Sequence, residues 1–431
     1  MELNYTNFNN QLTNFINLQK IKKIAVSLSG GADSMCLTFL LNKFCKQNNI
    51  SLVAITVDHK LRKGSTIEAN NIYGYLEKYG INHTVLTWNH NEIKSNIQKE
   101  ARNVRYKMLC DFCNENGIEN LFVAHTYDDQ AETVLLRILR GSGIDGISGI
   151  NSLIIMNEIN IIRPLLAYTK TQILNFLKKE NLLWFEDESN KNTKFDRVKV
   201  RNLITQLDKD FQLTDRLNLL SDNAKRAKNF IHSHVAEMFK KYCIIGELGC
   251  ISINQADFNN LDEEIQLRLI NHIIRYVRNE QVLYPSRLDS LKIALANLQK
   301  IGNEKFTLSN CKILLHDKII YFYRESKYIE SKKPLLRGDN LWDKRYQISI
   351  NTKDFEISKL TKDFWHKIKP KNFIHKVPGD IIFSTPIIFS ERKGIYILPL
   401  SNIINSTNIL KLGIKIKVVH ILPKSSFEIY C

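Results

Sequence analysis

From Lys22 onward, short apolar runs alternate with longer amphipathic ones: Ile24 to Leu28, Met35 to Phe44, Leu52 to Asp58 and Glu68 to Tyr79. The alternation continues through His83 to Trp88, Ile97 to Asn114, Leu121 to His125 and Asp129 to Arg140. Short apolar strands separated by stretches of helical period predict βαβ units. Such units build an α/β fold, a doubly wound, mainly parallel sheet, expected here over residues 1–215. Beyond Asp215 the spacing turns helical, as in Leu217, Leu220, Ala224, Ala227 and Ile231, and again in Leu267, Ile270, Ile274 and Val277. A mainly helical domain is expected over 216–326, finishing with short strands near Lys312 to Leu315 and Ile319 to Tyr323. Arg324 to Pro334 is polar and linker-like. From Leu335 the runs are short, β-branched and punctuated by Gly and Pro, as in Ile381 to Phe383, Ile395 to Leu398 and Ile414 to Val419, which predicts a small β-rich domain over 327–431.

Composition changes this picture in one respect. Hydrophobic residues at 44% and charged residues at 24% are ordinary for a globular chain. The excess of 61 Lys and Arg over 44 Asp and Glu, a net +17, sets up a field that attracts polyanions, and nucleic acid is the natural partner. A membrane is the competing reading, but no window reaches the roughly 18 apolar residues of a spanning helix. The start, Met1 to Asn10, lacks a basic, then apolar, secretory signal, so a cytoplasmic location is expected. Residues 327–431 hold 19 Lys and Arg against 9 Asp and Glu, so +10 of the excess lies there, and this region is expected to grip the body of a nucleic-acid partner. The 8 cysteines are too sparse for a disulfide framework. Cys110 and Cys113 form the lone CxxC and read as buried filler, and His232 with His234 reads as a solvated surface pair.

The strongest local signal is Ser29-Gly30-Gly31-Ala32-Asp33-Ser34, between an apolar run and a helical one. Two glycines let backbone amides approach a phosphate, and the helix start adds unsatisfied N–H groups at the positive end of its dipole. No Gly-Lys-Ser/Thr follows, which excludes a Walker loop, and the GxGxxG dinucleotide pattern is not matched. The hexapeptide resembles the PP-loop of the N-type ATP pyrophosphatases, which cleave ATP to AMP and pyrophosphate while activating a carbonyl-like oxygen.

A second segment, Ala124-His125-Thr126-Tyr127-Asp128-Asp129-Gln130-Ala131-Glu132-Thr133, also sits where a strand gives way to a helix. In doubly wound sheets ligands lie outside the carboxyl ends of strands, so both segments can line one crevice and face one ATP. Asp129 and Glu132, three apart, share a helix face suited to Mg²⁺ or to an incoming ammonium group; they can equally be acids placed favourably in a first helical turn. Val57-Asp58-His59-Lys60-Leu61-Arg62 ends the second strand at the same edge, with His59 assigned to ATP and Arg62 to RNA phosphate. Arg102 and Arg105 lie on one helix face and suit a triphosphate or a developing negative charge.

VDHKLR, Ala101 to Tyr106, Ala124 to Thr133, Leu139 to Gly143, Arg163 to Leu166 and Glu186 to Asn190 resemble, in that order, motifs of the tRNA(Ile)-lysidine synthetases. That resemblance implies adenylation of the wobble cytidine of a CAU-anticodon tRNA(Ile) at its 2-oxygen by ATP, followed by attack of free lysine to give lysidine. It implies ATP and Mg²⁺ as cofactors, with Ser29, Gly30, Gly31, Ala32, Asp33, Ser34, His59 and His125 toward ATP and Asp33 and Asp129 toward the metal. Asp33, Arg102, Arg105, Asp129 and Glu132 are the catalytic set, and Arg62, Arg197 and Arg201 are expected to meet tRNA. Either Asp129 or Glu132 could relay the proton that lysine must lose, and the oligomeric state is left open, a homodimer included. A related 2-thiocytidine synthetase is the nearest alternative, kept alive by the CxxC, and a non-enzymatic RNA-binding protein is the alternative from another class.

Overall fold

The computed structural model describes the chain except residues 1, 19–20, 61–64, 89–96, 186–195, 247, 280–285, 352–353, 369–377, 398–414 and 419–431. Arg62 and the segment Glu186 to Asn190 therefore lie outside the described residues. The described chain gathers into two compact units, one running to Asn229 and one beginning at Phe230.

The first unit is built on a six-stranded sheet. Its elements are α1 (Tyr5–Leu12), β1 (Lys23–Ser27), α2 (Ala32–Asn48), β2 (Ser51–Asp58), α3 (Ser65–Glu77), β3 (Asn82–Thr87), α4 (Ile97–Glu115), β4 (Asn120–Phe122) and α5 (Tyr127–Leu139). There follow α6 (Ile144–Ile147), β5 (Leu153–Met156), β6 (Ile159–Ile162), α7 (Lys170–Lys179), α8 (Asp196–Phe211) and α9 (Leu213–Tyr242), within which the division between units falls. The sheet order is β3-β2-β1-β4-β6-β5, all parallel except the β5–β6 hairpin at one edge.

Because successive strand residues point to opposite faces, the apolar runs serve two cores. Ile24, Val26, Leu52 and Ala54 join Met35, Leu40 and Phe44 of α2 and Ile173 and Leu177 of α7 on one face. Ala25, Val53 and Ile55 meet Leu109, Cys110 and Cys113 of α4 on the other. The CxxC pair is thus fully buried filler, and burial pushes both thiols up, to about 11 for Cys110 and about 12 for Cys113. A third cluster packs Ala131 and Val134 of α5 against Val200 and Ile204 of α8 and Leu217 of α9.

In the second unit a five-stranded antiparallel sheet is formed by β7 (Ile244–Ile245), β8 (Ile251–Asn254), β9 (Glu304–Leu308), β10 (Cys311–His316) and β11 (Ile319–Arg324). Helices α10 (Gln255–Asn259), α11 (Glu263–Arg278) and α12 (Leu288–Leu298) lie between β8 and β9 in sequence. Ile320 and Phe322 face α11, whereas Tyr321 and Tyr323 face a separate cluster that includes Leu360, Trp365 and Phe389. The remaining elements are β12 (Lys333–Pro334), β13 (Gly338–Trp342), β14 (Tyr346–Ile350), β15 (Glu356–Lys359), α13 (Lys362–Ile368), α14 (Gly379–Ile382), β16 (Pro386–Ser390), β17 (Ile395–Ile397) and β18 (Lys415–Val418). They give sheets of four and three strands.

Two sequence expectations are corrected here. Ile381 to Phe383, read as a strand, closes the short helix α14; the strand is the next apolar run, β16. Arg324 to Pro334, read as linker, is packed: Ile329 is buried and β12 pairs with β15. Period alone cannot separate short apolar segments of different type, and a polar stretch can pack through a single apolar anchor. No helix of the described residues is long and apolar enough to cross a membrane.

The loop after α5 is fixed by buried polar groups. Ile150 N–H donates to Gln130 Oε1 at 2.6 Å, Gln130 Nε2 donates to Ser221 Oγ at 2.9 Å, and Ser221 Oγ donates to the Ser148 carbonyl at 2.9 Å. Gly149 has φ +71°, and a Cβ there would lie 2.6 Å from the Gln130 amide. Gly149→Ala therefore combines a left-handed backbone with displacement of a hydrogen-bonded buried side chain. It should lower the stability of the first unit by about 2 kcal/mol in chemical unfolding, and a variant as stable as wild type would contradict this packing.

Candidate active site

Strand β1 ends in the centre of the sheet, and the chain must turn sharply to return as α2. Gly30 makes that turn at φ +85°, with a Cβ there only 2.6 Å from Ile72 Cδ1. At Gly31, the residue before α2, an added Cβ would meet only Ser29 Oγ, at 3.8 Å, so this side of the loop stays open to a ligand. Ser34 locks the loop: its Oγ donates to the Gly31 carbonyl at 2.9 Å and accepts from the Ser29 N–H at 3.2 Å. Phe185 N–H donates to the Gly30 carbonyl at 2.9 Å. The result is a rigid turn with free amides at a helix start, a site that favours anions.

Because β4 pairs directly with β1, the loop after β4 abuts this turn. Together they open a cleft of about 550 Å³. Its lining includes Ser29, Gly31, Ala32, Asp33 and Ser34, together with Arg102 and Arg105 from α4, His125 and Asp129 around the start of α5, and Arg197 and Arg201 from α8. Most of the residues singled out in the sequence thus converge. His59 does not line this cleft; its ring meets Trp88 edge-on at 5.9 Å.

The carboxylates divide by environment. Glu132 is 2% exposed and held between two guanidiniums: Arg197 Nε donates to Oε2 at 2.9 Å and Arg201 Nε to Oε1 at 2.5 Å. Both its oxygens are taken, so Glu132 locks α8 onto α5 and does not face the cleft. Asp129 closes a capping box, its Oδ2 accepting from the Thr126 N–H at 2.9 Å, while Oδ1 accepts from Arg197 Nη2 at 3.0 Å. Burial alone would raise the Asp129 pKa, but Arg197 and then Lys170 hold it below the usual carboxylate range.

Asp33 differs. Burial, reinforced by Asp129 and Asp128, pushes its carboxyl up to about 6 against the lowering influence of Lys170. Its nearest cation is Lys170 Nζ, at 4.0 Å. A carboxylate crowded by two others is relieved by a cation. Among the described residues no group of three or more His, Cys, Asp or Glu is arranged to hold a metal ion. Two carboxylates beside a phosphate cradle nevertheless fit Mg²⁺, which takes one or two protein oxygens and completes its shell from phosphates and water.

Arg102 and Arg105 meet no carboxylate among the described residues; each guanidinium lies over the Tyr106 ring, at 5.3 and 5.6 Å. They are the cleft's uncompensated positive charge. His125 is 8% exposed, and burial followed by Arg163 lowers its pKa to about 3. Its imidazole is neutral at physiological pH, and Nδ1 has no hydrogen-bond partner among the described residues.

Sequence reading missed Lys170, Trp184, Phe185 and Leu174, which also line the cleft. Lys170 opens α7 behind a Thr169–Gln172 capping box, and its N–H donates to Asp128 Oδ2 at 2.8 Å. The signal was available in Thr169-Lys170-Thr171-Gln172, a helix start following strand β6 of the same sheet. Trp184 and Phe185 add aromatic surface to the lining.

Comparison with known proteins places this geometry. A family model described as a PP-loop domain matches residues 4–207. A tRNA(Ile)-lysidine synthase of Wolbachia pipientis wMel is 38% identical over 334 residues, spanning 76% of this chain and 77% of the relative. The tRNA(Ile)-lysidine synthase of Rickettsia bellii (strain OSU 85-389) is 32% identical over 351 residues, 80% of each chain. Among solved structures, a U34-tRNA thiolase of Methanococcus maripaludis with its [4Fe-4S] cluster is similar at TM-score 0.44 and 21% identity, over 51% of this chain and 78% of that one. With identity sustained over more than three quarters of the length of such relatives, and with the cradle, the arginines and the acidic helix start in one cleft, this chain belongs to the tRNA(Ile)-lysidine synthase family.

Proposed function

We propose that the cleft ligates free lysine to C2 of the wobble cytidine of a CAU-anticodon tRNA(Ile). In the first step the 2-oxygen of the base attacks the α-phosphate of ATP and pyrophosphate leaves. In the second, the side-chain amine of lysine, having lost a proton, attacks C2 and AMP departs. The observation that carries this reading is the convergence, in a member of this family, of an amide cradle with two arginines that no protein carboxylate neutralises among the described residues.

The residues divide the labour on electrostatic grounds. The Gly31 to Ser34 amides hold the leaving pyrophosphate, and Arg102 and Arg105 stabilise charge as the bond to the α-phosphate breaks. Asp33 and Asp129 would hold Mg²⁺, which when bound neutralises phosphate charge. His125, kept neutral, hydrogen-bonds the nucleotide or base without adding charge. Trp184 and Phe185 offer aromatic surface to a base. Glu132 we assign to positioning, because both its oxygens hold arginine. Arg197 and Arg201 then belong to the framework of the cleft more than to the tRNA surface.

Incubating the protein with CAU-anticodon tRNA(Ile), ATP, Mg²⁺ and lysine should yield lysidine by nucleoside mass spectrometry, with AMP and pyrophosphate released. ADP with phosphate would exclude adenylation, and a requirement for a sulfur donor would favour the thiolation alternative.

The raised Asp33 carboxyl sets a pH dependence with a defined sign. Above about 6 Asp33 is ionised and attracts cations; below it the proton competes. Mg²⁺-dependent ATP affinity should climb as pH rises through about 6, and Asp33→Asn should flatten that climb while lowering affinity at neutral pH. An unchanged profile in the variant would remove Asp33 from the cation site.

Glu132→Gln leaves two guanidiniums facing a neutral amide. Since both arginines keep partial solvent access, the loss of stability should be about 2 kcal/mol, below the range for fully buried pairs. Turnover should fall at least roughly tenfold through displacement of the arginines and Asp129. A variant with wild-type stability and turnover would show that the clamp is dispensable.

A further inference from the structure

Within the second unit, a pocket of about 260 Å³ gathers Lys312 from β10, Tyr323 and Arg324 from β11, Lys359 from the end of β15, Lys362 from the start of α13, and Asp380 from α14. Lys312 and Tyr323 are directly paired across β10 and β11, so their side chains share one face of the sheet. The charges in the pocket are unbalanced. Asp380, its one lining carboxylate among the described residues, is salt-bridged to Lys305, which lies outside the lining. The Arg324 guanidinium is committed to the framework, donating to the Arg278 carbonyl at 2.8 Å and the Tyr328 carbonyl at 3.1 Å. Lys359 donates to the Ser326 carbonyl, at 3.3 Å. Neither Lys312 nor Lys362 meets a carboxylate among the described residues. Beside them Tyr323 is 2% exposed and its hydroxyl has no hydrogen-bond partner among the described residues.

Three lysines line the pocket against one carboxylate, Asp380, that is already paired with Lys305, which leaves an excess of positive charge, and a buried hydroxyl without a partner carries a desolvation cost. One occupant relieves both: an anion with several acceptor oxygens. The volume lies below the roughly 300 Å³ at which pockets begin to enclose drug-sized ligands, which favours a single phosphate group over a whole nucleotide. Lysines serve phosphate as point charges without fixed geometry, as suits recognition of a nucleic-acid backbone, which carries no sequence information.

We infer that Lys312, Lys359, Lys362 and the Tyr323 hydroxyl form a phosphate-binding pocket that takes a backbone phosphate of the tRNA substrate. This rests on the reading of tRNA as substrate. It gives part of the basic C-terminal half a built site, with Lys359 and Lys362 contributed from residues 327–431 and Lys312 from the sheet before them.

The test uses the full-length protein carrying Lys312→Ala, Lys359→Ala and Lys362→Ala together, with Tyr323→Phe as a second variant that keeps the ring's packing. tRNA affinity is measured across a salt series, with ATP affinity and circular dichroism followed in parallel. The triple variant should stay folded, bind ATP as wild type does, and bind tRNA roughly 3- to 10-fold more weakly near 0.15 M salt. Its log–log salt slope should be shallower by roughly 0.7 to 0.9 for each backbone phosphate that the variant no longer neutralises. Tyr323→Phe should weaken tRNA binding less and leave the slope unchanged. Wild-type protein titrated with inorganic phosphate at constant ionic strength should bind it, and the triple variant should not. A folded triple variant with wild-type tRNA affinity and slope overturns the proposal, and it does so equally if wild type binds inorganic phosphate, since the pocket would then be an ion site only. Wild-type protein that binds no tRNA overturns the functional reading together with this one, which separates the two failures.

Discussion

Glu132 is a carboxylate buried to 2% exposure, and it is tolerable there only because Arg197 and Arg201 each donate to it. The consequence runs in both directions. The ion pairs hold α8 against α5 above an apolar cluster of Ala131, Val134, Val200 and Ile204, so that α8 forms one wall of the cleft. Together with Asp129, which also accepts from Arg197, Glu132 balances the charge of the two arginines, which would otherwise compete with Arg102 and Arg105 for a ligand's phosphates. Charge that no carboxylate balances among the described cleft residues is thereby confined to α4 and the amide cradle.

The same charge balance explains why three carboxylates in one neighbourhood behave differently. Asp129 has an arginine and a backbone amide as partners and stays low; Asp33 has a lysine at 4.0 Å and two acidic neighbours and is pushed up to about 6. Asp128 turns to the α7 amide of Lys170. One acidic helix start and one cradle residue are thus divided among capping, clamping and cation binding by what each side chain touches, and not by residue type.

The α/β framework was legible because strands buried on both faces leave unbroken apolar runs, and the cradle because two glycines between a strand and a helix have few other uses. The shared helix face of Asp129 and Glu132 was also legible from spacing. What they face was not: Arg197 lies 65 residues beyond Glu132, and sequence separation says nothing about such a pair. The same separation hides the partners of Arg197 and Arg201, which lie one helical turn apart in a basic stretch and are expected from the sequence to meet tRNA. Lys170, Trp184 and Phe185 were missed because their chemistry depends on the sheet bringing their loops to the edge where β1 ends. In the second unit, short segments such as Ile381 to Phe383 carry too few residues for period to distinguish helix from strand.

The central claim is that the cleft activates an RNA oxygen by adenylation before any amine arrives. It is tested most directly by leaving lysine out. With ATP labelled at the α-phosphate, Mg²⁺ and CAU-anticodon tRNA(Ile), the label should become attached to the tRNA and should leave as AMP when lysine is added. Absence of label from the tRNA, in protein that goes on to modify the same tRNA once lysine is supplied without releasing AMP, would contradict it.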